Sequence, residues 1–197
     1  MDVKSDLAMA LDPVLFARAV GFEPDPWQAE VLRSRAPRIL LNCSRQSGKS
    51  TVVAILAMWT ALYCPGSTTL IVSPTERQSK ELFRKALAVY RGLGRPVSPE
   101  SESALQLELE SGSRIIALPG KEGSIRSYSA DLIAIDEAAR VPDEAYQAVR
   151  PMLAVSGGRL IALSTPFGTR GWWYRAWMGL DDTGKPLAGA RSPATPL

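Results

Sequence analysis

The chain has 197 residues, 46% hydrophobic and 22% charged, with a net charge of +3 and no histidine. That balance describes an ordinary globular domain and excludes imidazole chemistry, while the mild basic excess permits nucleic-acid binding without requiring it. The two cysteines, Cys43 and Cys64, are too isolated for a disulfide framework and favour a reducing compartment. The longest apolar run, residues 52–63, falls short of the about 20 residues needed to span a bilayer, and the N-terminus lacks the pattern of a signal peptide.

From the N-terminus, residues 6–20 read as a short helix, with Asp12-Pro13 as a cap-then-proline start signal. A Pro-rich turn leads into a second helix from Pro26. Residues 38–42, RILLN, are an apolar run consistent with a buried strand. Residues 49–63 are apolar and helical, and Cys64-Pro65-Gly66 stops them. Residues 68–72 read as the next strand. Over 75–90, Leu82, Phe83, Ala86, Leu87 and Tyr90 form one helical stripe, while Arg77, Lys80, Arg84 and Arg91 share a solvent-facing side. Residues 92–103 read as a loop, and LQLELE with SRIIAL as a β-hairpin joined by Ser111-Gly112. A strand over 131–136, a helix over 143–154, a strand over 159–163 and a helix over 172–178 follow. The polar, Pro-rich stretch from 181 reads as a mobile tail. Helices alternating with near-continuously apolar strands predict an α/β domain with a mostly parallel sheet flanked by helices. The hairpin is then an insertion or an antiparallel extension of that sheet. The organisation expected is a helical segment over 1–37, a core over 38–178 and a disordered tail over 179–197.

Four stretches carry chemistry. The first, CSRQSGKST, fits the phosphate-loop pattern G-x-x-x-x-G-K-[ST] except that Cys43 replaces the leading glycine. A strand before it and an apolar helix after it would aim backbone N–H groups of residues Ser44, Arg45, Gln46, Ser47, Gly48, Lys49, Ser50 and Thr51 at phosphates. Gly48 allows close approach, Lys49 reaches the terminal phosphates, and the Ser50 hydroxyl ligates Mg2+. The first glycine shapes the turn and makes no phosphate contact, so another residue of negative φ can take its place.

The second stretch, DLIAIDEAAR, ends a strand in two carboxylates. In nucleotide hydrolases of this loop type Asp136 would hold Mg2+ and Glu137 would orient and deprotonate the attacking water. The third, ALSTPFGTRG, brings Ser164, Thr165 and Pro166 to the carboxyl end of a strand, where α/β ligands bind. The fourth, DPWQAEVL, sets Gln28 upstream of the loop, with an amide able both to donate to and accept from an adenine edge.

In this order the four stretches resemble the ATPase domain of phage large terminase subunits over roughly residues 12–178. The S-R-Q-x-G-K-[ST] form of the loop is one that terminases commonly carry, and Ser44, Arg45, Gln46, Gly48, Lys49 and Ser50 match it. The resemblance implies a RecA-like (ASCE) P-loop NTPase that uses ATP and Mg2+ and drives double-stranded DNA into a procapsid. It implies Gln28 as the adenine-recognising residue, Asp136 and Glu137 as the acidic pair, Arg45 beside the phosphates, and Ser164-Thr165-Pro166 as the coupling motif. It further implies a homo-oligomeric ring, a portal protein and small terminase subunit as partners, and residence in the host cytoplasm without a membrane. An arginine acting across subunits is also part of the family's chemistry, with Arg84, Arg91 and Arg126 as candidates here. The C-terminal nuclease domain of full-length large terminases has no counterpart in this length, so DNA cleavage is not expected of this chain. Two other readings remain: a helicase-like nucleic-acid motor, suggested by the D-E-A-A and S-T-P runs, and an ATP-binding remnant that does not hydrolyse.

Overall fold

A computed structural model describes residues 2–125 and 128–185 of the chain. Three short helices come first: α1 (Val3–Leu11), α2 (Pro13–Ala19) and α3 (Pro26–Arg33). The single helix expected over 6–20 is two helices. Asp12 is extended (φ −132°), and its side chain caps the new helix by accepting from the Val14 N–H at 3.0 Å. Pro13 can begin that helix but cannot continue the earlier one.

The core then alternates: β1 (Arg38–Asn42), α4 (Lys49–Tyr63), β2 (Thr68–Ser73), α5 (Glu76–Gly92), β3 (Pro99–Glu102), β4 (Gln106–Leu109), β5 (Arg114–Pro119), α6 (Glu122–Ile125), β6 (Leu132–Asp136), α7 (Asp143–Ser156), β7 (Arg159–Ser164) and α8 (Gly171–Trp177). A 3-10 turn, Ala138–Arg140, follows β6. The seven strands lie in the order β1-β7-β6-β2-β5-β4-β3. The pairs from β1 through to β5 are all parallel, and β4 and β3 add to that sheet antiparallel. The hairpin is therefore an extension of the sheet, as one of the two expectations had it, although β5 itself belongs to the parallel part. Strand β3 falls inside the stretch expected as a loop. Pro99–Glu102 has no strand pattern of its own and is mostly exposed; it pairs only because β4 offers an edge.

Side chains of the central strands alternate between two cores. Ile71, Leu132, Ala134, Ile161 and Leu163 face α4, α5 and the N-terminal helices. Leu70, Val72, Ile133, Ile135, Leu160 and Ala162 face α7 and α8. Helix α4 is packed on nearly all sides, with Val52, Val53, Ile55, Leu56 and Met58 buried. The buried Trp59 indole N–H donates to the Met9 carbonyl at 2.8 Å, fastening α1 across it. Each such apolar side chain contributes about 1.5–3 kcal/mol when fully buried, which is why this helix is uniformly apolar where α5 is striped. On the other face Trp172 stacks on Tyr146 with ring centroids 4.0 Å apart and donates its indole N–H to the Val141 carbonyl. Residues 179–185, assigned to the tail from the sequence, are tied to α7 by an Arg150–Asp182 pair at 2.8 Å. Residues 186–197 lie outside the described residues. Among the described residues no helix is long and apolar enough to cross a membrane.

Candidate nucleotide site

The parallel strands β1, β7, β6 and β2 deliver their carboxyl ends to one edge of the sheet, and the chemistry-bearing residues sit there. The loop Cys43–Gly48 leaves β1 and enters α4. The Cys43 N–H donates to the Ser164 carbonyl at 3.2 Å, so the loop starts bonded to β7. Positive φ falls on Gln46 (63°) and Gly48 (82°), not on Cys43. The missing first glycine therefore costs no backbone strain, in keeping with the expectation from sequence. Gly48 is needed twice over. It adopts a left-handed conformation, and a Cβ there would come within 2.6 Å of the Gln28 Nε2. Burial pushes the Cys43 thiol up, with the nearby Lys49 charge only partly offsetting it.

Lys49 is the first residue of α4 and is almost wholly buried; its ammonium donates to the Ser44 carbonyl at 3.2 Å. Gln28 is buried too. Its Oε1 accepts from the Asp25 N–H at 2.9 Å, and its Nε2 donates to the Ser47 carbonyl at 3.0 Å. The amide thus closes a capping box at the start of α3 and braces the loop. Both ends of the group assigned to an adenine edge are engaged within the protein.

Across the crevice, β6 ends at Asp136. Its Oδ1 accepts from the Glu137 N–H at 3.0 Å. Burial, with the neighbouring Glu137 charge second, pushes Asp136 up to about 6, while Lys49 and Lys85 pull the other way. Glu137 is left-handed, with φ 48° and ψ 44°. A non-glycine residue held there is sparsely populated and strained. Ser164, fully buried at the end of β7, accepts from the Ala139 N–H at 3.2 Å and donates to the Thr165 carbonyl at 2.9 Å.

A cavity of about 570 Å³ joins the two sides and is lined by Arg45, Gln46, Lys49, Pro74, Thr75, Gln78, Glu137 and Arg140. Arg45, Gln46, Lys49 and Glu137, all singled out from the sequence, line it together. Pro74, Thr75, Gln78 and Arg140 were not foreseen. The first three follow β2, and the tendency of α/β ligands to bind beyond strand carboxyl ends was the signal available for them. The lining does not include Asp136, Ser50 or Thr51: Asp136 is half-buried at the end of β6, and the two hydroxyls belong to the first turn of α4. Arg84 pairs with Glu81 at 3.6 Å on the exposed face of α5, and Arg91 pairs with Glu102. Neither lines the cavity, and Arg126 is outside the described residues.

The donor set fits a hard divalent cation. A serine hydroxyl and a half-buried carboxylate whose charge is disfavoured in isolation are oxygen ligands of the kind Mg2+ takes. Among the described residues no three or more Asp, Glu, Cys or His side chains cluster into a cage. An ion at this site would therefore complete its shell with phosphate oxygens and water.

A parallel sheet with a phosphate-type loop at one strand end, an acidic pair at another and a further strand between them defines a RecA-like P-loop NTPase. The family described as terminase large subunit, T4-like virus type, N-terminal, matches residues 40–188, and the chain belongs to it. The large terminase subunit of Thermus phage G20c is 28% identical over 199 residues, covering 88% of this chain. This chain spans 41% of that relative's length. The solved large terminase ATPase domain of Thermus phage P74-26 superposes with a TM-score of 0.75 at 25% identity, covering 86% of this chain and 77% of that one. The large terminase of the thermophilic bacteriophage D6E, solved in complex with ATP-γ-S, has the same fold. Its TM-score is 0.62 at 18% identity, covering 82% of this chain and 44% of that one.

Proposed function

We infer that this chain is the ATP-hydrolysing part of a DNA-packaging motor, which binds ATP with Mg2+ between the loop and the acidic pair and couples hydrolysis to movement of double-stranded DNA into a procapsid. The observation that carries this reading is the meeting of Lys49 and Glu137, from two separate strand ends, on one cavity. Membership of the terminase family and the ATP-γ-S complex of the D6E protein support it.

In this mechanism Lys49 and the backbone N–H groups of residues 46–51 hold the terminal phosphates, and the dipole of α4 adds to their pull. Ser50 and Asp136 would hold Mg2+, which when bound would supply positive charge beside the phosphoryl oxygens. Glu137 orients the attacking water and takes its proton. Arg45, on the rim, faces the phosphates, and Gln28 braces the loop and stands on the adenine side. Ser164-Thr165-Pro166, hydrogen-bonded both to the loop start and to the turn after Glu137, passes the change outward. The reading includes a ring of identical subunits, an arginine from a neighbour (Arg84, Arg91 or Arg126), and a portal protein and small terminase subunit as partners. Titration calorimetry with ATP, followed by steady-state hydrolysis over a wide protein concentration range with and without double-stranded DNA, tests it. Turnover that rises with concentration and vanishes in Lys49→Ala is the expected result. Undetectable ATP binding by the wild-type chain would overturn it.

A further inference from the structure

Arg140 stands in the turn after β6, and its side chain meets Glu137, the segment after β7 and two cavities. Its Nε lies 3.9 Å from the Glu137 Oε2. Its guanidinium carbon stands 4.1 Å over the centre of the Phe167 ring. Its side chain lines both the nucleotide cavity and a second cavity of about 360 Å³, whose walls include Phe167, Arg170 and Trp173. The backbone repeats the same link, because the N–H of the preceding Ala139 donates to Ser164 Oγ.

The two contacts differ in kind. The Glu137 pair is long for an ion pair and partly open to water, so it biases where the carboxylate points without locking it. The Phe167 contact is close, and it lays the guanidinium flat on a ring face. Phe167 is 39% exposed. The covered part of the ring contributes through burial, and the guanidinium over its open face adds a modest cation–π attraction together with a defined orientation. Phe167 also directly follows Ser164-Thr165-Pro166, so the ring moves with that segment.

The geometry points to Arg140 as a positioning residue that ties the Glu137 carboxylate to the segment after β7, with the Phe167 ring as its anchor. The inference rests on the proposed role of Glu137 and adds a route by which a shift of residues 165–167 reaches the carboxylate that receives the water proton. Arg140 steers the carboxylate through charge, and Phe167 fixes Arg140 through its ring.

The test uses Phe167→Leu, which keeps an exposed apolar side chain and removes the ring face. Turnover falls on the order of tenfold while ATP affinity stays within about twofold, the pattern of a lost transition-state contact. Arg140→Lys recovers part of what Arg140→Ala loses, and Phe167→Leu adds little on top of Arg140→Ala, because the two act as one unit. Wild-type turnover in Phe167→Leu, or strictly additive losses, would overturn the inference. Should the wild-type chain bind ATP without turning it over, the hydrolytic reading fails separately, and the Arg140 Nε–H resonance of the 15N-labelled chain decides. It is expected to move in both Glu137→Gln and Phe167→Leu, and a resonance unmoved by either substitution overturns the link.

Discussion

The two walls of the crevice are made in different ways. The loop wall is held by backbone and buried groups: Gly48 at φ 82°, Gln28 on the Ser47 carbonyl, Lys49 on the Ser44 carbonyl, Cys43 on the Ser164 carbonyl. The acidic wall is held by charge and strain: Asp136 half-buried against its own tendency to ionise, Glu137 left-handed, and a long contact to Arg140. The first arrangement suits a job done the same way each cycle, which is to present N–H groups to phosphate. The second suits a group that must respond. The contrast also shows where stability has been given up, in a half-buried carboxylate and a strained residue, costs of the kind that functional sites carry.

Substitutions on the two walls should separate these roles. Glu137→Gln is expected to have the largest effect, lowering kcat by roughly 10²–10⁴-fold because the amide cannot accept the proton. ATP affinity from calorimetry should stay near wild type. A wild-type rate in that variant would remove Glu137 from the mechanism. Lys49→Ala acts on the opposite wall and on the opposite observable. It removes a charge-assisted contact worth about 1.5–3 kcal/mol in binding, so calorimetry should show affinity reduced on the order of tenfold to a hundredfold or more.

Asp136→Asn probes strain rather than catalysis. Asp136 is raised to about 6 from an ordinary 3.8, so between those values the folded protein binds the extra proton and folding weakens as pH rises. In metal-free buffer the wild type should therefore lose on the order of 1–3 kcal/mol between pH 4 and pH 7 through this group, and the variant should not. Urea midpoints at the two pH values measure it. Adding Mg2+ should narrow the gap by stabilising only the wild type. A gap that stays the same at both pH values would show that burial of Asp136 carries no electrostatic cost.

The smallest effect belongs to Gly48→Ala, expected to cost about 1–2 kcal/mol in urea unfolding, from the positive φ and from the approach to Gln28. Gln28→Ala should relieve the steric part alone. If Gly48→Ala costs as much in a Gln28→Ala background as in wild type, the clash contributes nothing.

Much of the frame could be read from local pattern. RILLN, TTLIV, LIAI and RLIAL are short apolar runs between turn signals, and each became a strand, the last three buried on both faces and the edge strand RILLN only partly covered. Gly48-Lys49-Ser50 and Asp136-Glu137 stood out because their chemistry is local to a few residues. What stayed hidden depends on partners distant in sequence. Pro99–Glu102 is a strand only because β4 lies beside it. Thr75 and Gln78 reach the cavity because β2 sits next to β6; their place just after a strand was the one local hint, and the pairing that brings them to the site is not local. Arg140 carried no signal of its own in the sequence, because Phe167, which follows β7, meets it only in the fold. The division of residues 6–20 was the exception, since Asp12-Pro13 already carried the stop as well as the start.

The position of β7 has a mechanical consequence. It lies between β1 and β6 and forms a parallel ladder with each, Arg38–Asn42 on one side and Leu132–Asp136 on the other. A pull on the chain beyond Ser164 runs along the strand axis. Both ladders then carry the load in shear, with all their bonds sharing it at once, instead of peeling open one bond at a time. Tension applied at that end would be transmitted to both walls of the crevice before the sheet yielded.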